Sequence, residues 1–273
     1  MKPIFIALIA GGFMLCAPLT HAESASEQPT VRLTGGGEVP PWAGEPWEDS
    51  YAGGYPITWN YPVFKGLDKI RLEKLNAWAR TISLQQLFSY DGIWSPKTTA
   101  SKDSAVIALL SQEKAAREAA LTQSVLMPSR RFVRHITFTL YSEMPGAAHP
   151  SHGLIHPIFD YRSGQQVETE SLFKQGAKGK LTQMLEQSIE RSFKETPALN
   201  TDDLGRCQHN RQFEWEAVSI LSNHEIIVEF PSVSGENASC GEGYYILRSP
   251  AIKKLLVSPQ DFGVGEMLYS PTN

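Results

Sequence analysis

The stretch from Phe132 to Phe173 reads FVRHITFTLYSEMPGAAHPSHGLIHPIFDYRSGQQVETESLF, and it sets out in order the strands and turns from which the fold follows. Phe132, Ile136, Phe138 and Leu140 fall on one side of an extended chain. Val133, His135, Thr137, Thr139 and Tyr141 fall on the other, so the segment predicts a strand with one buried face. Arg134 interrupts the apolar side and is expected near a strand end or against a partner. A turn rich in Gly, Pro and His follows, then a returning strand from Leu154 to Tyr161. Arg162-Ser163-Gly164 makes the next turn, with Gly164 free to take a positive φ and Asp160 placed to cap the turn backbone. Glu168 to Phe173 then opens a helix.

Upstream, residues 1–22 have the pattern of an export signal. Lys2 supplies a positive start, Ile4 to Leu15 is apolar, and Ala22 offers a small residue for cleavage. The apolar run is short for a membrane span, and no later stretch is longer. Cys16 follows Leu15, whereas a lipoprotein signal places a small residue before its cysteine, so cleavage after Ala22 is the favoured reading over lipidation. The expected location is the periplasm or the exterior, with no transmembrane segment after cleavage. The cleaved chain carries 24 basic and 29 acidic residues, a formal charge of −5. That balance lacks the basic footprint of a nucleic-acid binder. Cys207 and Cys240 then remain, and in an oxidising compartment the expectation is a disulfide, which at this loop length contributes about 3–4 kcal/mol in the chain-entropy treatment. A zinc site would want shorter cysteine spacing.

Residues 23–54 mix proline, glycine and acids with isolated aromatics, without a period, and read as an irregular arm or linker; Trp42, Trp47, Tyr51 and Tyr55 are open to stacking on a sugar or a partner, and the favoured reading is that they pin the arm to the domain surface. Ile57 to Phe64 predicts a strand in which Pro62 marks an edge or an end. Asp68 is placed to cap a helix with Leu72, Leu75, Ala79 and Ile82 on its buried face. A second helix is expected from Lys102 to Leu126, capped by Ser101 or Asp103 and stopped by Pro128. Glu113, Lys114, Arg117 and Glu118 read as its solvated face. Leu181, Leu185, Ile189 and Phe193, with Met184, mark a third helix. Strands are expected over Phe213 to Ile220, Ile226 to Phe230 and Tyr244 to Leu247, and a last helix over Ala251 to Val257. Irregular alternation of helices and strands with a hairpin predicts a single α+β domain, mainly antiparallel sheet packed against several helices, over residues 55–258, with 259–273 as a tail.

Catalytic signatures are sparse. No Gly-x-Ser-x-Gly, Ser-x-x-Lys of the penicillin-recognising kind, or His-Glu-x-x-His is present, and no nucleotide fingerprint. His149, His152 and His156 have spacing compatible with zinc or copper, but prolines and a glycine between them favour ordinary turn histidines, so no metal and no cofactor are expected. A glycosidase-like pair of carboxylates is open to a chain with 29 acidic residues, with no spacing that selects one.

The order of strand, Gly146-Ala147-Ala148-His149, strand, Phe159-Asp160 with Gly164, and Leu172-Phe173 resembles the domain of unknown function 3298 family, which includes the C-terminal domain of the anti-sigma factor RsiV. The resemblance spans about residues 55–258, with its specific part in the central hairpin; Ala147 stands where the family pattern has a second glycine. It implies an extracytoplasmic α+β domain. In RsiV that domain binds lysozyme, and related domains accompany peptidoglycan deacetylases. The expectation is a non-enzymatic binding domain of the cell envelope whose partner is a protein such as lysozyme, or peptidoglycan; the alternative is an envelope-polymer hydrolase using unidentified carboxylates. Tyr141, Glu143 and His149, at the rim of the hairpin, are the expected contact residues.

Overall fold

The computed structural model describes residues 28–41, 55–88, 102–118, 120–144, 151–195, 213–230 and 243–268. Residues 1–22, read as an export signal, and Trp42, Trp47, Tyr51, His149, Cys207 and Cys240 lie outside the described residues.

Strands run over β1 Thr30–Val39, β2 Ile57–Lys65, β3 Gln123–Arg131, β4 His135–Met144, β5 Ser151–Ile155, β6 Ile158–Asp160, β7 Gln165–Val167, β8 Val218–Ser222, β9 Glu225–Phe230, β10 Gly243–Arg248 and β11 Glu266–Met267. The helices among the described residues are α1 Lys69–Leu87, α2 Asp103–Gln112, α3 Lys114–Glu118, α4 Ala177–Glu195 and α5 Pro250–Leu255. The larger sheet has the order β1-β2-β3-β4-β6-β7, with β5 also on β4 and β11 on β3; β10-β9-β8 form a smaller sheet. The pairing of β2 with β3 is parallel and needs the crossover that α1 opens, while the other ladders are antiparallel. Together these make a single α+β domain, as the sequence predicts.

Helix α1 starts where Asp68 Oδ1 accepts the backbone N–H groups of Ile70 and Arg71, each at 3.0 Å. Its buried residues include Leu75, Ala79, Ile82 and Leu87, and they meet the face of the large sheet formed by Trp59, Phe64, Phe138, Leu140 and Phe159. Trp78 lies edge-on to Phe138 with ring centroids 4.9 Å apart, and 4.8 Å from Phe159. A second core forms around α4 and the small sheet, from Leu181, Leu185, Ile189, Val218, Ile226, Val228, Leu247 and Ile252. Strand β6 joins the two cores. Its period of two sends Phe159 into the first and Ile158 into the second, so both are buried.

Several sequence expectations change in three dimensions. The second helix is much shorter than Lys102–Leu126, because Gln123–Arg131 is strand β3. Ser124 and Leu126 are buried between ladders to β2 and β4, so non-local pairing overrides the helix-compatible local composition. Pro128 sits at a register shift in the β3–β4 ladder, where a missing donor is tolerated. Asp103 does not cap α2. It accepts hydrogen bonds from Trp59 Nε1 at 3.1 Å and Tyr61 Oη at 2.7 Å, with Arg80 Nε at 3.4 Å. Arg117 is not on a solvated face: it is 1% exposed, and its Nη2 donates to the carbonyls of Pro40 at 2.6 Å and Tyr55 at 3.0 Å.

The stretch read as an irregular arm holds β1. Gly35 and Gly37 lie under the rings of Tyr61 and Trp59, so close that an added Cβ would stand 2.4 and 2.3 Å from ring carbons. Phe132 leaves the β4 face: it precedes the strand and packs against Phe262, whose ring centroid is 5.2 Å away. The returning strand divides at His156-Pro157 into β5 and β6. Glu168 to Phe173 forms a 3-10 turn over Thr169–Leu172, with α4 beginning only at Ala177. Trp215–Ala217 is likewise a 3-10 turn before β8. Beyond residue 258, Pro259–Phe262 makes another 3-10 turn and β11 pairs with β3.

Candidate functional site

The central hairpin builds the site by register. Ile136, Phe138 and Leu140 of β4 face α1, so alternation sends Thr139, Tyr141 and Glu143 to the opposite face. Glu143 stands opposite His152 of β5, and Tyr141 stands opposite Leu154. The tyrosine and histidine rings stack, with centroids 5.4 Å apart and planes 29° from parallel. Tyr141 Oη donates to Glu143 Oε2 at 2.9 Å. The same hydroxyl is hydrogen-bonded to His152 Nδ1. A phenol has one proton, so donation to Glu143 leaves His152 Nδ1–H as the donor to the tyrosine oxygen. His152 Nδ1 is also 3.8 Å from Glu143 Oε2, which would become an ion pair on protonation of the imidazole.

On neighbouring β3, Gln123, Val125 and Met127 stand opposite Glu143, Tyr141 and Thr139, all partly exposed. The cluster therefore presents a carboxylate, a phenol and an imidazole on a half-exposed, mixed apolar and polar strip. Chemically, such a strip offers hydrogen-bonding groups, stacked rings and a carboxylate.

Tyr141 and Glu143, two of the three expected contact residues, are brought together; the third, His149, lies outside the described residues. His152 completes the cluster, which sequence reasoning missed because only the β4–β5 register sets it opposite Glu143. His156 sits elsewhere. It is buried, with Nδ1 3.4 Å from Thr139 Oγ1 and Nε2 3.2 Å from Glu229 Oε2 of the small sheet. Among the described residues no group of three His, Cys, Asp or Glu side chains is arranged to hold a metal.

Asp160 behaves as its turn position predicts. Its Oδ1 accepts the N–H groups of Arg162 at 2.9 Å and Ser163 at 3.3 Å, Arg134 pairs with its other oxygen, and Gly164 takes φ +72°. Burial works to raise the Asp160 pKa, but the bonds from Arg134, Arg162 and Ser163 hold it below the ordinary aspartate value. Beside it His135 stacks on Phe262, centroids 4.8 Å apart and planes within 8°. Burial pushes the imidazole down to about 4, against a smaller opposing pull from Asp160. These groups hold the hairpin base and are structural.

A concavity of about 200 Å³ opens where the β5–β6 connection, β7 and two 3-10 turns meet. Trp215, Ile155, Pro157 and Val167 supply its apolar wall, and Glu168, Glu170 and Glu216 its charge. The sequence offers no signal for it, since its residues come from three separated segments.

No family model and no curated protein matches the chain. Among solved structures, a DUF3298 family protein from Pseudomonas aeruginosa PAO1 superposes with a TM-score of 0.53 at 15% identity, covering 86% of this chain and 97% of that one. A DUF3298 family member from Bacteroides fragilis NCTC 9343 gives a TM-score of 0.49 at 12% identity, over 85% of this chain and 94% of that one. The first likeness, at such identity, shows a shared fold.

Proposed function

We propose that this chain is an exported, non-enzymatic binding domain of the cell envelope, a DUF3298-type module that meets its partner through the face carrying Tyr141, Glu143 and His152. The supporting observation is the convergence of those three side chains on one half-exposed strip, where Glu143 is oriented by the Tyr141 hydroxyl. An oriented carboxylate beside stacked rings suits a cationic protein surface. The formal charge of −5 on the cleaved chain favours encounter with a basic partner, and lysozyme, a basic protein of the cell-wall environment, is the partner this reading names first. Peptidoglycan is the second, its sugar faces stacking on Tyr141 and His152. In this reading export follows cleavage after Ala22, and Cys207 pairs with Cys240.

The test is binding of the purified mature protein to immobilised lysozyme and to peptidoglycan sacculi, with Tyr141→Ala and Glu143→Gln variants alongside. Loss of a central contact of this kind is expected to weaken binding by about tenfold, which is about 1.4 kcal/mol. The reading fails if neither target is bound. Release of soluble muropeptides from sacculi by the wild-type protein would replace it with a hydrolase acting through carboxylates.

A further inference from the structure

The concavity at Trp215 is built as a site in its own right, separate from the β4–β5 face. Its floor and walls are fixed by local structure. The His156 N–H donates to the Glu216 carbonyl at 3.0 Å, which ties the β5–β6 connection to the 3-10 turn Trp215–Ala217. The indole of Trp215 is held by Phe173, with centroids 5.1 Å apart, and by Phe213, edge-on at 5.1 Å. Thr169 and Pro157 are buried in the lining, so the pocket has a firm base.

The charge around it is one-sided. Glu168, Glu170 and Glu216 are exposed on the lining and have no ion pair among the described residues. Glu214, just outside, is by contrast paired with Lys178 at 3.3 Å. Among the described residues the lining contains no lysine or arginine. Its one basic side chain, His156, is 2% exposed and has its Nε2 beside Glu229, so it does not offset the three carboxylates. Carboxylates gathered around a concave, partly apolar wall make the local potential more negative and favour a cation there. An aromatic ring adds attraction for an ammonium group. At about 200 Å³ the space is smaller than the range usual for drug-sized ligands, and suits one side chain or one sugar unit.

We infer that the Trp215 pocket binds a primary ammonium group on a compact, partly apolar carrier. The ammonium sits among Glu168, Glu170 and Glu216, and the carrier lies against Trp215 with Ile155 and Val167. A lysine-type side chain and an amino sugar share this chemistry.

Nuclear magnetic resonance of 15N-labelled protein tests the site, with Trp215→Phe identifying the Trp215 indole signal. The probes are Nα-acetyl-lysine methylamide and glucosamine, with their N-acetylated counterparts, diacetyl-lysine methylamide and N-acetylglucosamine, as neutral controls. The free amines are expected to shift the Trp215 indole signal saturably, and the acetylated controls to leave it in place. Glu168→Gln with Glu170→Gln, both exposed and so tolerant of substitution, is expected to weaken the amine by about tenfold. Tighter binding of the lysine compound assigns a peptide source, and tighter binding of glucosamine a sugar source. The inference is overturned by the absence of a saturable shift with either amine. It is equally overturned by equal binding of the acetylated controls, or by unchanged affinity in the double variant.

Discussion

His135 makes the stability of this domain depend on mildly acidic pH. The residue is 4% exposed, its ring is stacked on Phe262, and its Nδ1 has no hydrogen-bond partner among the described residues. Burial lowers its pKa from 6.5 to about 4; the charged groups acting on it are Asp160 and Asp261, which favour the cation, and Arg134 and Arg162, which oppose it. A base with a depressed pKa in the folded state is protonated first in the unfolded chain. The folded state therefore has its full stability above about pH 6.5 and loses it progressively as the pH falls towards 4. The whole shift corresponds to about 3 kcal/mol, at about 1.4 kcal/mol per pH unit. Roughly 2 kcal/mol of this is already lost by about pH 5, where the unfolded imidazole is nearly all protonated and the folded one mostly neutral.

His135→Phe retains a ring to stack on Phe262 and cannot titrate. Urea unfolding of both proteins at about pH 7.5 and about pH 5 separates this residue from the other histidines, because only the difference between wild type and variant is read. The wild type should lose about 2 kcal/mol more than the variant across that interval. Equal losses in the two proteins would refute the assignment. Asp160 acts in a lower window: its depressed pKa stabilises the fold above the ordinary aspartate range, and that contribution disappears only as the pH falls below it.

Two further substitutions probe what the sequence left hidden. Arg117→Ala removes the donors to the Pro40 and Tyr55 carbonyls and empties a buried site, and should destabilise by about 3 kcal/mol in a urea titration; a loss below about 1 kcal/mol would return Arg117 to the solvated role its neighbours suggested. Gly36→Ala places a Cβ 2.0 Å from the Trp59 carbonyl at a residue with φ +146°, and should cost more than about 2 kcal/mol, read as a fall in thermal midpoint; an unchanged midpoint would show that the β1–β2 ladder relaxes around the substitution.

The helices and strands with strong local period were legible from residues alone. Asp68 caps α1, and Leu181, Leu185 and Ile189 form the buried stripe of α4, because a period near four and a capping carboxylate are properties of a single segment. The turn at Asp160 and Gly164 was legible for the same reason. Strand β1 was not. Its glycines carry no side chains to show an alternating face, and only the rings of Tyr61 and Trp59, from another strand, cover them. Arg117 was misread because its charge suggests water, while its partners at Pro40 and Tyr55 are distant in the chain.

The stretch from Phe132 to Phe173 marks the same division. Its residues are enough to establish that a strand, a return and a capped turn succeed one another, and that Tyr141 and Glu143 share a side, since alternation along an extended chain requires it. That His152 joins them and His156 does not depends on how the strands pair. Register across β4 and β5 sets His152 opposite Glu143, while the small sheet brings Glu229 to His156. Pairing between strands is a non-local choice, settled by which faces both sheets can bury at once.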